Sequence, residues 1–161
     1  ANGATAAVPN EIDVPWHFVI QPYVKSYQLF KCPSNTSTGG MNRTNGLVPK
    51  SYVASNNGDA EFGGSGPIND GVAMARVDSP ALVIMVGEHT DRADPEFWNN
   101  QADTNVQGHL GTTNFLFADG HVKALKPTAT VTPTNMWNIT NAAPSNGNLI
   151  SWMQAHQTRI Q

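Results

Sequence analysis

The chain holds one cysteine, Cys32, in 161 residues, so no disulfide can form within it. Charge is scarce as well. Asp, Glu, Lys and Arg make up 13% of the sequence, well below the roughly one quarter of an ordinary soluble domain. The net charge of −3 and the scatter of nine basic residues exclude the basic stripe that a nucleic-acid partner requires. No apolar run reaches the 18 residues that a membrane-spanning helix needs, and no segment has signal-peptide form. Several chemistries lack their sequence patterns. There is no Gly-Lys-Ser or Gly-Lys-Thr phosphate loop, no H-E-x-x-H or C-x-x-C metal motif, and no G-x-S-x-G nucleophile elbow.

What remains is a chain rich in Gly, Asn, Thr, Ser and Pro, of one domain's length and able to bury a core. Residues 1–12 read as a flexible lead-in. From Pro15 to Ser26 the apolar residues Trp16, Val19, Ile20, Tyr23 and Val24 recur at helical spacing, with Pro22 as an interruption. Pro33 to Asn45 reads as a loop, Ser51–Ala54 as a short strand, and residues 56–71 as a string of Gly-punctuated turns. Ser79-Pro80 opens the apolar run Ala81–Gly87, which suits a central strand. Asn114–Ala118 and His121–Leu125 flank Asp119-Gly120, a pair suited to a type I′ hairpin turn. After Pro127 the chain is Thr- and Asn-rich with strand-like fragments. It closes as a helix from about Ser145 to Ile160, with Leu149, Ile150, Met153, His156 and Ile160 on one face. The expected fold is α+β: a small antiparallel sheet with its hairpin at Asp119-Gly120, an N-terminal helix packed on it, long loops and a C-terminal helix.

Three groups of side chains are candidates for a site. His89, His109 and His121, near strand ends, have the chemistry of transition-metal ligands. The alternative is that Asp119 shapes the turn and His109 pins its loop to the hairpin through a backbone carbonyl or the Asp119 carboxylate. Glu88, Asp91, Asp94, Glu96 and Asp103 make an acid-rich loop that suits calcium, or simply a solvated surface. Trp98 and Trp137, each beside Asn residues, could stack on a sugar of an extracellular polysaccharide; their alternative is burial as loop anchors. Trp16 and Trp152, on helical faces, read as core. Three Asn-x-Ser/Thr triplets begin at Asn35, Asn42 and Asn138, and in so Asn- and Thr-rich a chain they read as coincidence.

Several segments in order carry a family resemblance. His109, nine intervening residues and Asp119-Gly120, within N-F-L-F-A-D-G-H-V-K, resemble the signature of the prepilin-type H-x(9)-D-G domain. Gln21–Lys25 with Leu29–Ser34, the Ser51-Tyr52…Asn56 stretch, and Val77–Pro80 leading to Glu88 resemble further pieces of that pattern. The likeness covers about residues 16 to 126. It departs at Gly108, where the family has a basic residue, and in the extension 127–161. The resemblance implies one domain over 1–161, the globular head of a bacterial type IV pilin-like or type II secretion pseudopilin-like protein. It implies a non-enzymatic role in assembly, a place outside the cell, at its surface or in the periplasm, and other pilin or pseudopilin subunits as partners. Membrane contact would run only through a hydrophobic N-terminal helix absent from this sequence. No cofactor is required, although the resemblance raises calcium in the acidic loop.

Overall fold

The computed structural model describes residues 16–35, 40–43, 46–49, 51–55, 72–89, 106, 108–144 and 147–161. Helix α1 spans Trp16–Val24 with Pro22 inside it. It ends where Lys25 takes a left-handed φ of 62° and its N–H bonds to the Gln21 carbonyl at 2.7 Å. A 3₁₀ turn, Tyr27–Phe30, follows and buries Phe30. Strands β1 (Gly40–Arg43) and β2 (Gly46–Pro49) form an antiparallel pair. The expected loop to Asn45 is thus partly a hairpin. Its four-residue strands lack the alternation that would have marked them.

The main sheet is antiparallel, in the order β3 (Tyr52–Ala54), β4 (Ile84–Glu88), β5 (Thr113–Phe117), β6 (Val122–Leu125). The apolar run from Ala81 is central, as expected, but its first residues coil into a 3₁₀ turn at Pro80–Leu82. Proline fixes φ and lacks a donor, so the ladder starts only at Ile84. A register shift between Ile84 and Val86 then bends β4 against β5. Thr113, Phe115 and Phe117 alternate inward along β5, whereas β6 lies on the exposed edge.

The expected hairpin is present with a different turn. Gly120 N–H bonds to the Phe117 carbonyl, and Phe117 N–H bonds to the His121 carbonyl, both at 2.9 Å. Ala118, Asp119 and Gly120 therefore form a three-residue loop, with Gly120 at φ +93° in the bulge position. Only one residue takes positive φ, so a type I′ turn at Asp119-Gly120 is ruled out. The two-residue turn with both central φ values positive lies earlier, at Leu110 (+53°) and Gly111 (+81°), between the paired residues His109 and Thr112.

Helix α2, Asn148–Arg159, buries Leu149, Trp152 and Met153 in a core shared with Val53, Ile84, Val106, Phe115, Phe117, Val131 and Trp137. Burying each large side chain of this kind is worth about 1.5–3 kcal/mol. Among the described side chains α2, not the N-terminal helix, supplies the helical part of the core. The packing described for α1 is against the 3₁₀ turn that follows it.

Among the described residues between Pro127 and α2 the expected strand fragments do not form. A 3₁₀ turn at Pro127–Thr130 leads into irregular chain held by its amides. Asn138 Oδ1 accepts from the Thr140 backbone and hydroxyl at 2.8 Å each, and Asn135 Oδ1 accepts from Trp137 N–H at 3.1 Å. Asn141 Nδ2 donates to the carbonyls of Leu82 and Asn135 at 3.1 Å. Short amide side chains satisfy a backbone that has no ladder, which is why this stretch is Asn-rich. It docks on the sheet through Ile84 N–H to the Met136 carbonyl at 2.8 Å.

Candidate functional site

At one end of the main sheet, residues far apart in sequence converge. Glu88 ends β4 and is buried, with its backbone paired to Tyr52 of β3. Its Oε2 accepts Asn114 N–H at 2.8 Å, which leaves Oε1 facing His109 Nε2 at 3.1 Å. Cys32 Sγ, buried beyond the 3₁₀ turn, lies 3.7 Å from the same Nε2 and 3.0 Å from Ser34 Oγ. Ser34 Oγ in turn lies 3.4 Å from His109 Nδ1. Among the described residues, Cys32, Glu88 and His109 each offer one ligand atom, all within 4.8 Å of one another. Burial first, and then the neighbouring Cys32 and Glu88, push the Tyr52 hydroxyl above its usual range.

His109 is held by the turn it opens and by the C-terminal helix. Its backbone N–H donates to the Thr112 carbonyl at 2.6 Å, and Thr112 returns backbone and hydroxyl bonds to its carbonyl. Around it, the last turn of α2 grips Val106 and the stretch 108–111. Arg159 donates to the Val106 carbonyl at 3.2 Å, and Gln157 Nε2 to the Gly111 carbonyl at 3.0 Å. At Gly108 any Cβ would sit 2.2 Å from Ile160 Cβ, so the helix end occupies the space a side chain would take. His109 itself is 31% exposed at its side chain, so one side of the cluster faces solvent.

The three expected histidines do not meet at one point. His121 lies at the far end of β5 from His109, in the hairpin turn. There its Nδ1 is 2.6 Å from Asp119 Oδ1 and its ring stacks on Phe117 at 4.4 Å. Backbone and side-chain hydrogen bonds from His121 hold the Asp119 carboxyl below its usual range. His89 is buried beside β3, its N–H bonded to the Ser51 carbonyl at 2.8 Å, and it lies close enough to His156 to act on that ring. His109 does meet a carboxylate, but it is that of Glu88; the expected partner, Asp119, is bonded to His121 at the other end of β5. The missed member is Cys32, 77 residues from His109 in sequence. Of the acidic loop only Glu88 is described; Asp91, Asp94, Glu96 and Asp103 lie outside the described residues, as does Trp98.

Trp137 is 1% exposed, with its Nε1–H bonded to Thr130 Oγ1 at 2.8 Å and its ring edge-on to Phe115. It offers no face to a sugar and is the buried anchor of its loop. Trp152 is in the core as expected, whereas the Trp16 side chain lies outside what is described. Asn35 and Asn138, two of the three triplet asparagines, are buried, so neither side chain is presented for glycosylation. Comparison of the chain with protein-family models, curated proteins and solved structures found no match to any of them.

Proposed function

We propose that this chain is a non-enzymatic structural subunit, the globular head of a pilin-like or pseudopilin-like protein that acts by assembly outside the cell. One observation carries the reading: segments that resemble the H-x(9)-D-G pattern, scattered over about a hundred residues, converge in space. Cys32 and Ser34, Tyr52, Glu88 and His109 come from four such segments and meet at one end of the sheet. A motif whose dispersed pieces build one local cluster acts as a unit of the fold, and the cluster braces the segment that precedes the hairpin. The surface fits the same role. Helix α1 and its following turn expose Val19, Tyr23, Tyr27 and Leu29 together, a run of apolar side chains suited to contact with neighbouring subunits of one filament. No calcium or other cofactor is needed for this role.

Immunogold electron microscopy of the source cells with antibodies against the domain tests this reading. Label along surface filaments, or clustered at an envelope-spanning apparatus, is the expected result. Label spread through the cytoplasm would overturn it.

A further inference from the structure

We propose that Cys32, Glu88 and His109 form a zinc-binding site with an open fourth position. His109 Nε2 faces Glu88 Oε1 at 3.1 Å and Cys32 Sγ at 3.7 Å, yet a ring nitrogen carries at most one proton. That proton can satisfy the carboxylate or the sulfur, not both. A cation placed between the three donor atoms satisfies all of them at once.

The same geometry speaks against a thiol hydrolase. In a nucleophilic triad the imidazole turns one nitrogen to the nucleophile and the other to the carboxylate. Here a single nitrogen faces both, and Nδ1 faces Ser34 instead. No relay from thiol to carboxylate runs through the ring.

The dimensions suit zinc. Tetrahedral bonds of about 2.3 Å to sulfur and about 2.0–2.1 Å to nitrogen or oxygen set ligand edges of about 3.6 Å for sulfur–nitrogen and about 3.3 Å for nitrogen–oxygen. The separations of 3.7 and 3.1 Å stand at those edges before any adjustment. The sulfur–carboxylate gap, at most 4.8 Å, has no more than about 1 Å to close to reach its own edge. Charge also balances, because a thiolate and a carboxylate neutralise a divalent ion in a site that is mostly buried.

The supporting shell is in place. The Asn114 N–H fixes Glu88 Oε2 and so turns Oε1 inward. On binding, the Cys32 thiol proton leaves to solvent. The imidazole proton is then carried on Nδ1, which donates a hydrogen bond to Ser34 Oγ at 3.4 Å. The exposed side of His109 is where a water or an incoming ligand takes the fourth position. A thiolate, an imidazole and a carboxylate are a borderline-soft set, which suits zinc better than calcium or magnesium.

Cobalt(II) added to the reduced, metal-stripped chain tests the proposal. The expected result is one equivalent bound, with a thiolate-to-cobalt charge-transfer band and intense tetrahedral visible bands, all displaced by zinc. Because Cys32 is the sole thiol, that band reports on this site without any substitution. His109→Gln and Glu88→Gln, checked for folding by circular dichroism, should each weaken binding roughly ten- to hundred-fold or more. His121→Asn should leave it unchanged. Weak octahedral spectra without a charge-transfer band would overturn the assignment. So would undiminished affinity in His109→Gln, or loss of binding in His121→Asn.

Discussion

His156 shows how much a single ring depends on its burial. It sits on the inner face of α2, and burial first, then the positive charges of Arg159 and of His89 when protonated, pull its pKa down to about 4. The unfolded chain takes up that proton near pH 6.5, so between 6.5 and about 4 the unfolded state binds more protons than the native one. Stability from this group is therefore complete above pH 6.5 and lost as pH falls towards 4. The slope is at most about 1.4 kcal/mol per pH unit for one proton. Urea denaturation of wild type and His156→Gln across that range should show a shallower loss in the variant. Parallel curves would mean that other groups control the acid response.

At the scale of elements, the two places where the chain departs from the H-x(9)-D-G pattern prove to be neighbours. Gly108 lacks the side chain that the pattern expects, and Ile160, at the end of the divergent tail, fills the space beside it. Gly108→Ala should destabilise by about 1–3 kcal/mol through overpacking. In an Ile160→Gly background, which lacks the clashing atoms, Gly108→Ala should be nearly free. A double-mutant cycle by thermal melting measures the coupling, and additive effects would show that the helix end moves aside at no cost.

Elements were legible in the sequence where the signal is local. The α2 periodicity, the Pro80-led central strand and the Asp119-Gly120 hairpin all stand within a residue or three of their expected places. The errors are local too. Gly120 alone meets the demand for positive φ, so the turn grows by Ala118, and the Asn-rich tail satisfies its backbone through side-chain amides where strands were expected. The Cys32–His109 approach cannot be read from the spacing of the two residues, because it depends on β3, β4 and β5 pairing in one sheet and on α2 gripping Val106 and the stretch 108–111.

For the molecule as a whole, the two helices differ in where they place their apolar residues. Helix α2 spends its apolar residues on the core, whereas α1 leaves Val19 60% and Tyr23 85% exposed, followed by Leu29 at 64%. Little charge opposes contact there, since the chain carries only 13% charged residues and a net charge of −3. Apolar surface of this kind associates with increasing concentration and is not weakened by salt, unlike a contact made by ion pairs. Sedimentation velocity should therefore show self-association that rises with protein concentration and persists in high salt. The pair Val19→Asp and Tyr23→Asp should hold the chain monomeric. Because these side chains lie outside the core, the double variant should melt within about 0.5 kcal/mol of wild type. A wild-type chain that stays monomeric at every concentration would show that the α1 surface does not bind copies of itself. Self-association unchanged in the double variant would place the contact elsewhere, and the exposed β6 edge, with Val122 open to solvent, is then the next surface to substitute.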